Sequence, residues 1–228
     1  MNFSQIAEHL PLYLTGAVQT LELLLIALAG GLALALPLAL VRTVSRGWPS
    51  RLVWVYTYAF RGTPMLVQLF LIYYGLAQFD AVRDSWAWAW LSSASFCACL
   101  TFTLNTAAYT TEIIAGSIRA LPTGEIEAAK ALGMPRSLML RRIVLPAALR
   151  RALPAYGNEA IFMLHGTSLA SVVTLLDLTG AAREVNAKYY LPFEAFITAG
   201  AFYFVFTLSL VGLFRWAEAR WLQPMMSR

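Results

Sequence analysis

TGEIEAAKALGMPRSLMLRRIVLP, residues 123–146, is the longest stretch of the chain without an apolar segment of membrane-spanning length. Its first half predicts a short helix, because Thr123 can cap the helix and Glu125 and Glu127 suit the positive end of its dipole. Gly133, with a proline two residues later, predicts where that helix stops. The alanines between them favour helix and leave a shallow surface, which favours docking against another protein.

An arginine-rich helical run is predicted to follow, from about Ser137 to Pro146. Beyond it the composition is that of a membrane protein: the 228 residues are 59% hydrophobic and 13% charged. A chain of this length has room for one helical bundle and no sizeable soluble domain. The N-terminal residues lack a basic region and a cleavage site, so we expect no signal peptide.

The sequence predicts no chemistry, cofactor or metal site of its own. It has no Walker A loop, no HExxH motif and no nucleophile elbow, so we assign no catalytic residue and expect no enzyme. Cys97 and Cys99 lie two residues apart in an apolar run, on different faces of a helix, so we expect neither a disulfide nor a metal site.

Five apolar segments are long enough to cross a membrane as helices, which predicts an all-α membrane protein. They are residues 17–41, 52–79, 94–118, 153–178 and 193–214.

The loops between these segments predict the orientation. Thirteen lysines and arginines fall in the loops on one side and three in those on the other, so the net charge of +5 reports topology rather than nucleic-acid binding. By the positive-inside rule the N-terminus lies outside and the C-terminus and the central loop lie in the cytoplasm.

The second segment contains a break. Thr63 as N-cap and Pro64 at the first helical position predict that the spanning helix begins there. Residues 52–60 then form an elbow near the inner surface.

The third and fourth segments carry polar residues on one face. In the third, polar residues and a glycine recur every three or four positions, so their stripe faces either a water-filled passage or neighbouring helices; both remain open. The stripe consists of Thr101, Asn105, Tyr109, Glu112 and Gly116. In the fourth, Asn158, His165 and Ser168 share a side, Glu159 and Thr167 lie beside them, Asp177 marks the outer end, and Pro154, Gly157 and Gly166 permit bending.

The central loop resembles the EAA loop of permease subunits of ABC importers. The resemblance lies in Glu127-Ala128-Ala129, Gly133 and Ile143-x-Leu145-Pro146. It implies a coupling helix held in a cleft of a cytoplasmic ATPase, and therefore a type I ABC importer permease fold. The coupling residues that it implies are Glu125, Glu127, Ala128, Ala129, Gly133 and Arg136.

Further strings are similar to the polar amino-acid branch of this family, with its histidine, lysine/arginine/ornithine and opine permeases. They include FRGTP at 60–64, TLNTAAYTTEI at 103–113, LPAYGNE at 153–159 and LHGTSLA at 164–170. The resemblance implies a periplasmic segment 1–13, a permease domain 14–214 with coupling loop 119–152, and a cytoplasmic tail 215–228. The implied partners are a second homologous permease subunit, two ATP-binding subunits, a periplasmic solute-binding protein and the bilayer of the bacterial inner membrane.

A basic amino acid or opine is the implied solute, and a cationic side chain calls for carboxylates along the passage. The candidates are the carboxylates Glu112, Glu159 and Asp177, with Asn105, Asn158, His165, Thr167 and Ser168 as neutral ligands.

Two other functions are alternatives to an importer permease. A stand-alone proton-coupled carrier would use Glu112, His165 and Glu159 as a relay, but five spans without an internal repeat and a docking loop argue against it. An intramembrane hydrolase would use Ser168 and His165, yet no oxyanion-forming glycine motif accompanies them.

Overall fold

The computed structural model describes residues 4–222 and contains helices but no strand within that range. Residues 1–3 and 223–228, parts of the expected N-terminal segment and tail, lie outside the described residues. The helices are α1 (Ser4–Glu8), α2 (Leu10–Val44), α3 (Trp48–Gly62), α4 (Met65–Phe70), α5 (Asp80–Arg83), α6 (Trp88–Leu91), α7 (Ala94–Arg119), α8 (Thr123–Ala131), α9 (Arg136–Met139), α10 (Leu145–Gly166), α11 (Leu178–Tyr189) and α12 (Pro192–Trp221).

Helix α7 lies at the centre of the bundle, packed against α2, α3, α4 and α10. Small residues let α2 approach it closely: Gly30 faces Thr103, and a Cβ at Gly31 would collide with Thr106. Such glycines permit backbone contact between helices in lipid. One apolar core contains Leu24, Phe102 and Leu164 and joins α2, α4, α7 and α10.

The predicted break in the second segment is confirmed. Helix α3 ends at Gly62, and α4 continues through a π-helical turn, Leu71–Gly75, and a 3₁₀ turn, Leu76–Gln78. The expected cap is one residue off: Pro64 precedes α4, while the Thr63 hydroxyl donates backwards to the Ala59 carbonyl. Thr63 therefore closes α3 rather than opening α4.

Helix α8 ends as the sequence predicts. Gly133 has φ +70°, its N–H donates to the Lys130 carbonyl at 2.9 Å, and the Met134 N–H donates to the Ala129 carbonyl at 3.1 Å. Only glycine adopts this left-handed conformation without strain. The expected cap at Thr123 is wrong, because Thr123 is already the first helical residue and Pro122 precedes it.

Pro146 does not end the arginine-rich helix. Helix α9 runs through a π-helical turn, Leu140–Val144, into α10 without interruption. Proline clashes with the carbonyl four residues earlier in a regular helix. Here that carbonyl lies in the wider π-helical turn, which leaves room for the proline ring. The helix therefore continues through Pro146.

The expected outer loop 179–192 is mostly helix α11. Helix α10 tightens into a 3₁₀ segment, Thr167–Val173, and α11 starts after a bend of 46°. The Tyr13 hydroxyl donates to the Ala195 carbonyl, and His9 contacts Tyr189 edge-on. The start of α2, helix α11 and the start of α12 therefore share one end of the bundle, opposite α8.

Length and apolarity identify α2 and α12 as helices that can each cross a membrane. The bent pair Arg136–Val173 and Leu178–Tyr189 can count as a third, and Met65–Gln78 is apolar but shorter. Helix α7 has 26 residues, but it is central and carries buried threonines and an asparagine. The five-span expectation stays a prediction.

Gly16 permits the contact between α2 and α11. A Cβ there would lie 2.7 Å from the Asp177 carbonyl oxygen, which belongs to the backbone and cannot rotate away. We expect Gly16→Ala to destabilise the protein by about 1–3 kcal/mol, as overpacking does. Thermal unfolding of the detergent-purified protein, followed by tryptophan fluorescence, measures this loss. Gly200→Ala, where a Cβ meets nothing within 4 Å, is the matched control; equal unfolding temperatures for the two variants would contradict the prediction.

Candidate functional site

A cavity of about 450 Å³ lies between α4, α7 and α10. Its size is in the range of small-ligand sites. Its lining combines the break before α4 with the polar stripe of α7 and one face of α10: Thr63, Met65, Asn105, Tyr109, Glu159 and Phe162.

Asn105 is fixed within this lining by Gln68 of α4. Its amide donates to the Gln68 side-chain oxygen at 2.9 Å, and the Gln68 nitrogen donates to the carbonyls of Phe60 at 2.7 Å and Thr63 at 3.0 Å. Gln68 thus ties the end of α3 to α7. Sequence reasoning missed this role of Gln68; a glutamine inside an apolar helix was the available signal.

Glu159 supplies negative charge to the cavity. Its side chain lines the cavity, yet the residue is only 7% exposed. Arg61 interacts with it electrostatically and packs over the Tyr109 ring at 5.3 Å. A buried carboxylate is costly unless a cation balances it. Arg61 offsets only part of the cost of burying Glu159, so a ligand with a positive group can offset more of it.

The structure places Glu112 outside this cavity. Its Oε1 accepts from Arg42 Nε at 3.1 Å and from the Thr57 hydroxyl at 2.9 Å. These bonds join α7 to α2 and α3 towards the C-terminal end of α7. The stripe on α7 therefore serves two purposes: Asn105 and Tyr109 line the cavity, whereas Glu112 holds helices together.

We expect Glu112→Gln to lower stability and leave solute affinity unchanged. Loss of this half-buried ion pair costs about 1–2 kcal/mol, between the values for exposed and fully buried pairs. A double-mutant cycle with Arg42→Gln isolates the coupling energy. A raised Michaelis constant for uptake, with unaltered unfolding temperature, would contradict this structural role.

Asp177 and Thr167 are fully buried, and their polar groups form hydrogen bonds with nearby residues of the chain. Asp177 caps α11, accepting from the Gly180 N–H at 2.9 Å and from the Tyr203 hydroxyl at 3.3 Å. The Thr167 hydroxyl donates to the Leu164 carbonyl. Neither lines this cavity, and their acceptors and donors are already used in the fold; that they contact solute stays a prediction.

Asn158 and His165 are exposed on α10, on the side away from the packed core. His165 pairs with the Thr207 hydroxyl at 3.1 Å, while Ser168 donates to the His165 backbone carbonyl rather than to its ring. The serine is therefore not activated by the histidine. Glu112 is bonded to Arg42, so it forms no chain with His165 and Glu159 for proton transfer.

The loop that contains α8 presents most of its predicted coupling residues outwards. Glu125, Glu127, Ala128, Gly133 and Arg136 are exposed. Ala129 differs, because it is buried among the apolar residues that hold α8 to the bundle. It anchors the helix rather than offering a contact surface.

Leu132, at the end of α8, was missed by sequence reasoning. It is 81% exposed, which is unusual for a large apolar side chain in a polar loop. A single exposed leucine does not by itself mark an interface; its place beside the exposed face of α8 makes Leu132 a candidate contact residue. The hydrophobic pattern did not reveal it, since a leucine at a helix end normally packs inwards.

Comparison with known proteins gives matches over nearly the whole chain. The family described as binding-protein-dependent transport system inner membrane component matches residues 14–223. The nopaline transport system permease protein NocM of Agrobacterium fabrum is 45% identical over 227 residues, covering 99% of this chain and 94% of that protein. The histidine/lysine/arginine/ornithine transport system permease protein HisM of Escherichia coli K12 is 48% identical over 210 residues, covering 92% and 88%.

Solved structures agree in fold. A chain from an amino acid ABC transporter crystallised with histidines superposes with TM-score 0.85 and 35% identity, covering 96% of this chain and 99% of that one. The inward-facing MetNI methionine ABC transporter gives TM-score 0.68 at 21% identity, a likeness of fold alone.

Proposed function

The chain belongs to the family of binding-protein-dependent transport system inner membrane components, and from that premise we propose that it is the permease subunit of an ATP-driven importer of basic amino acids or opines. The observation that carries this is the match of 45–48% identity over nearly the full length to permeases named for histidine, lysine, arginine, ornithine or nopaline. The chain resides in the inner membrane, and ATP-binding subunits and a solute-binding protein are its partners.

A second, homologous permease subunit and two ATP-binding subunits complete the proposed assembly. The proposed topology has five spans, with the N-terminus outside and α8 in the cytoplasm. The excess of basic residues on one side supports it. The permease domain covers 14–214, with 1–13 outside and 215–228 inside.

The exposed face of α8 is the proposed contact with the ATPase, formed by Glu125, Glu127, Ala128, Leu132 and Gly133. Ala129 and the apolar cluster beneath it connect α8 firmly to the bundle. ATP binding then closes the ATPase pair, and the displacement passes through α8 to the helices that line the cavity.

The cavity beside Glu159 is the proposed resting place of the solute within the membrane. Glu159 provides the counter-charge for the cationic side chain, and Asn105, oriented by Gln68, provides a hydrogen bond. Asn158 and His165 lie on the exposed side of α10, and Ser168 lies in the 3₁₀ segment that follows it. All three are proposed to face the passage between the two permease subunits.

Reconstitution tests this function. The chain, its permease partner and its ATPase are placed in proteoliposomes, with binding protein outside and ATP inside, and uptake of radiolabelled arginine is measured. We expect uptake that requires both ATP and binding protein and is unaffected by a proton uncoupler. Uptake that persists without the ATPase and collapses with the uncoupler would identify a proton-coupled carrier instead.

A further inference from the structure

The end of α10 that lies away from α8 passes directly into a 3₁₀ helix. This 3₁₀ segment, Thr167–Val173, is seven residues long and continues α10 without a break. Runs of 3₁₀ helix longer than about four residues are uncommon, because their hydrogen bonds have poorer geometry than those of an α-helix. A 3₁₀ segment of this length within a longer helix is typical of a hinge or of a sequence under strain.

Packing explains why the segment is wound so tightly. Its buried residues, Thr167, Ala170 and Val173, recur at every third position. Three residues make one turn of a 3₁₀ helix, so these side chains form one row that faces the core. In an α-helix, at about 100° per residue, Val173 would point about 120° away from Thr167. A hydroxyl also supports the tight winding, since Ser171 Oγ donates to the Ser168 carbonyl at 3.0 Å.

Thr174 ends the segment in a strained conformation. Its φ of +67° lies in the left-handed region, which a β-branched residue rarely adopts. Such strain persists only where the surrounding structure fixes it, and it is concentrated at functional sites and switch regions. Any state in which Thr174 leaves the left-handed region is therefore favoured by relief of this strain.

The start of α11 is fixed to α2 and α12. The Leu178 N–H donates to the Thr20 hydroxyl at 3.1 Å, and the Tyr203 hydroxyl donates to the Asp177 carboxylate at 3.3 Å. Gly16 lets α2 touch the backbone of Asp177, since a Cβ there would lie 2.7 Å from the Asp177 carbonyl oxygen. Asp177 and Leu178 are completely buried. A change in the length of the 3₁₀ segment would therefore move α10 rather than α11.

Helix α10 belongs to a continuous helical rod, Arg136–Val173. One end of the rod packs against Ala129 of α8, and its middle supplies Glu159 and Met163 to the solute cavity. A 3₁₀ helix rises about 2.0 Å per residue and an α-helix about 1.5 Å, so conversion of the seven residues shortens the segment by about 3.5 Å. With α11 anchored, the rest of the rod would slide along its axis by that distance.

We propose that the 3₁₀ segment converts to α-helix and back during the transport cycle, so that α10 slides by about 3.5 Å while α11 stays fixed on α2 and α12. This inference rests on the proposed transport function. The slide moves Glu159 relative to Asn105 across the cavity, and the rod connects that movement to α8. Conversion also unwinds the segment by about 140°, and the turn at Thr174 takes up this rotation as it leaves the left-handed region.

Pulsed electron paramagnetic resonance on the whole transporter in lipid nanodiscs, with its ATPase and binding protein, tests the proposal. In a Cys97→Ala, Cys99→Ala chain, spin labels at the exposed positions Ala155→Cys of α10 and Ala187→Cys of α11 report the slide. We expect their distance to differ by about 3 Å between the nucleotide-free transporter and the transporter trapped with ATP and vanadate. The label pair Ala187→Cys and Leu208→Cys, on α11 and α12, should keep one distance.

Thr174→Gly is the second test, because glycine removes the strain that the left-handed conformation imposes on threonine. It should raise the ratio of the longer to the shorter α10–α11 distance about threefold or more in either condition. Tyr190→Gly is the matched control: Tyr190 is also left-handed, with φ +54°, but it lies at the far end of α11, so the ratio should stay at its wild-type value.

An unchanged α10–α11 distance in a labelled transporter that still imports arginine would overturn the proposal and leave the proposed function intact. Equal changes in both label pairs, or in Thr174→Gly and Tyr190→Gly, would overturn it as well. If the labelled chains fail to fold, hydrogen exchange of the wild type decides. Its amides at 168–173 should exchange at rates that differ about fivefold or more between the two conditions, and equal rates would contradict the conversion.

Discussion

Leu132→Glu is expected to reduce binding-protein-stimulated ATP hydrolysis and arginine uptake by more than about tenfold, the effect of losing one central contact residue. Leu132 is 81% exposed, so within this chain it has little packing to lose. The cost arises in the complex, where a carboxylate replaces an apolar side chain against the ATPase. Reconstituted uptake and ATP hydrolysis in proteoliposomes are the measurements.

Leu132→Met keeps an apolar side chain of similar volume and serves as the control. It should transport near the wild-type rate. The unfolding temperature of the isolated permease should be the same in both variants, which separates docking from folding. Wild-type uptake by Leu132→Glu, at equal protein level, would remove Leu132 from the proposed contact.

Glu159→Gln is expected to lower uptake of arginine and lysine about tenfold or more while ATP hydrolysis remains stimulated by binding protein. Glutamine keeps the shape of the side chain but removes the charge that balances a cationic solute in a poorly hydrated cavity. A loss of 1.4 kcal/mol in binding corresponds to a factor of ten. Solute transported per ATP hydrolysed is the decisive ratio, because it falls only if the passage is affected.

Glu184→Gln is the matched control, since Glu184 is an exposed carboxylate on α11. Its uptake should equal that of the wild type. Unchanged uptake kinetics in Glu159→Gln would exclude Glu159 from the solute site and leave the function of the chain untouched.

The parts of the fold predicted from sequence were those set by local chemistry. Gly133 ends α8 because its left-handed backbone requires glycine, and the break near Pro64 follows from a missing N–H. Pro146 was misread because its effect depends on the π-helical turn before it, which has no signal in the sequence. Helix α11 was read as a loop because its residues are too polar to form an apolar segment of spanning length.

The candidate site was also predicted only in part, because local sequence patterns place residues on a helix face but do not give their partners in the fold. Helical periodicity put Asn105 and Glu112 on one face of α7. Periodicity does not show which neighbouring side chains each of the two residues meets. The structure assigns Asn105 to the cavity and pairs Glu112 with Arg42, a residue 70 positions away in the chain. Likewise, the sequence marks Ala129 as part of a motif, but only packing shows that it faces inwards.

The interruption at Thr63 and Pro64 divides the second apolar segment into α3 and α4. Helix α3 is fastened to α7 through the Tyr56 hydroxyl, which donates to the Leu104 carbonyl at 2.6 Å, whereas α4 begins afresh beyond the gap. The Gln68 side chain lies across this gap and bonds both the end of α3 and Asn105 of α7. In the proposed transport cycle, a movement of α4 relative to α3 would break the Gln68 bonds across this gap, and Asn105 in the cavity would lose its partner if the same movement separated α4 from α7.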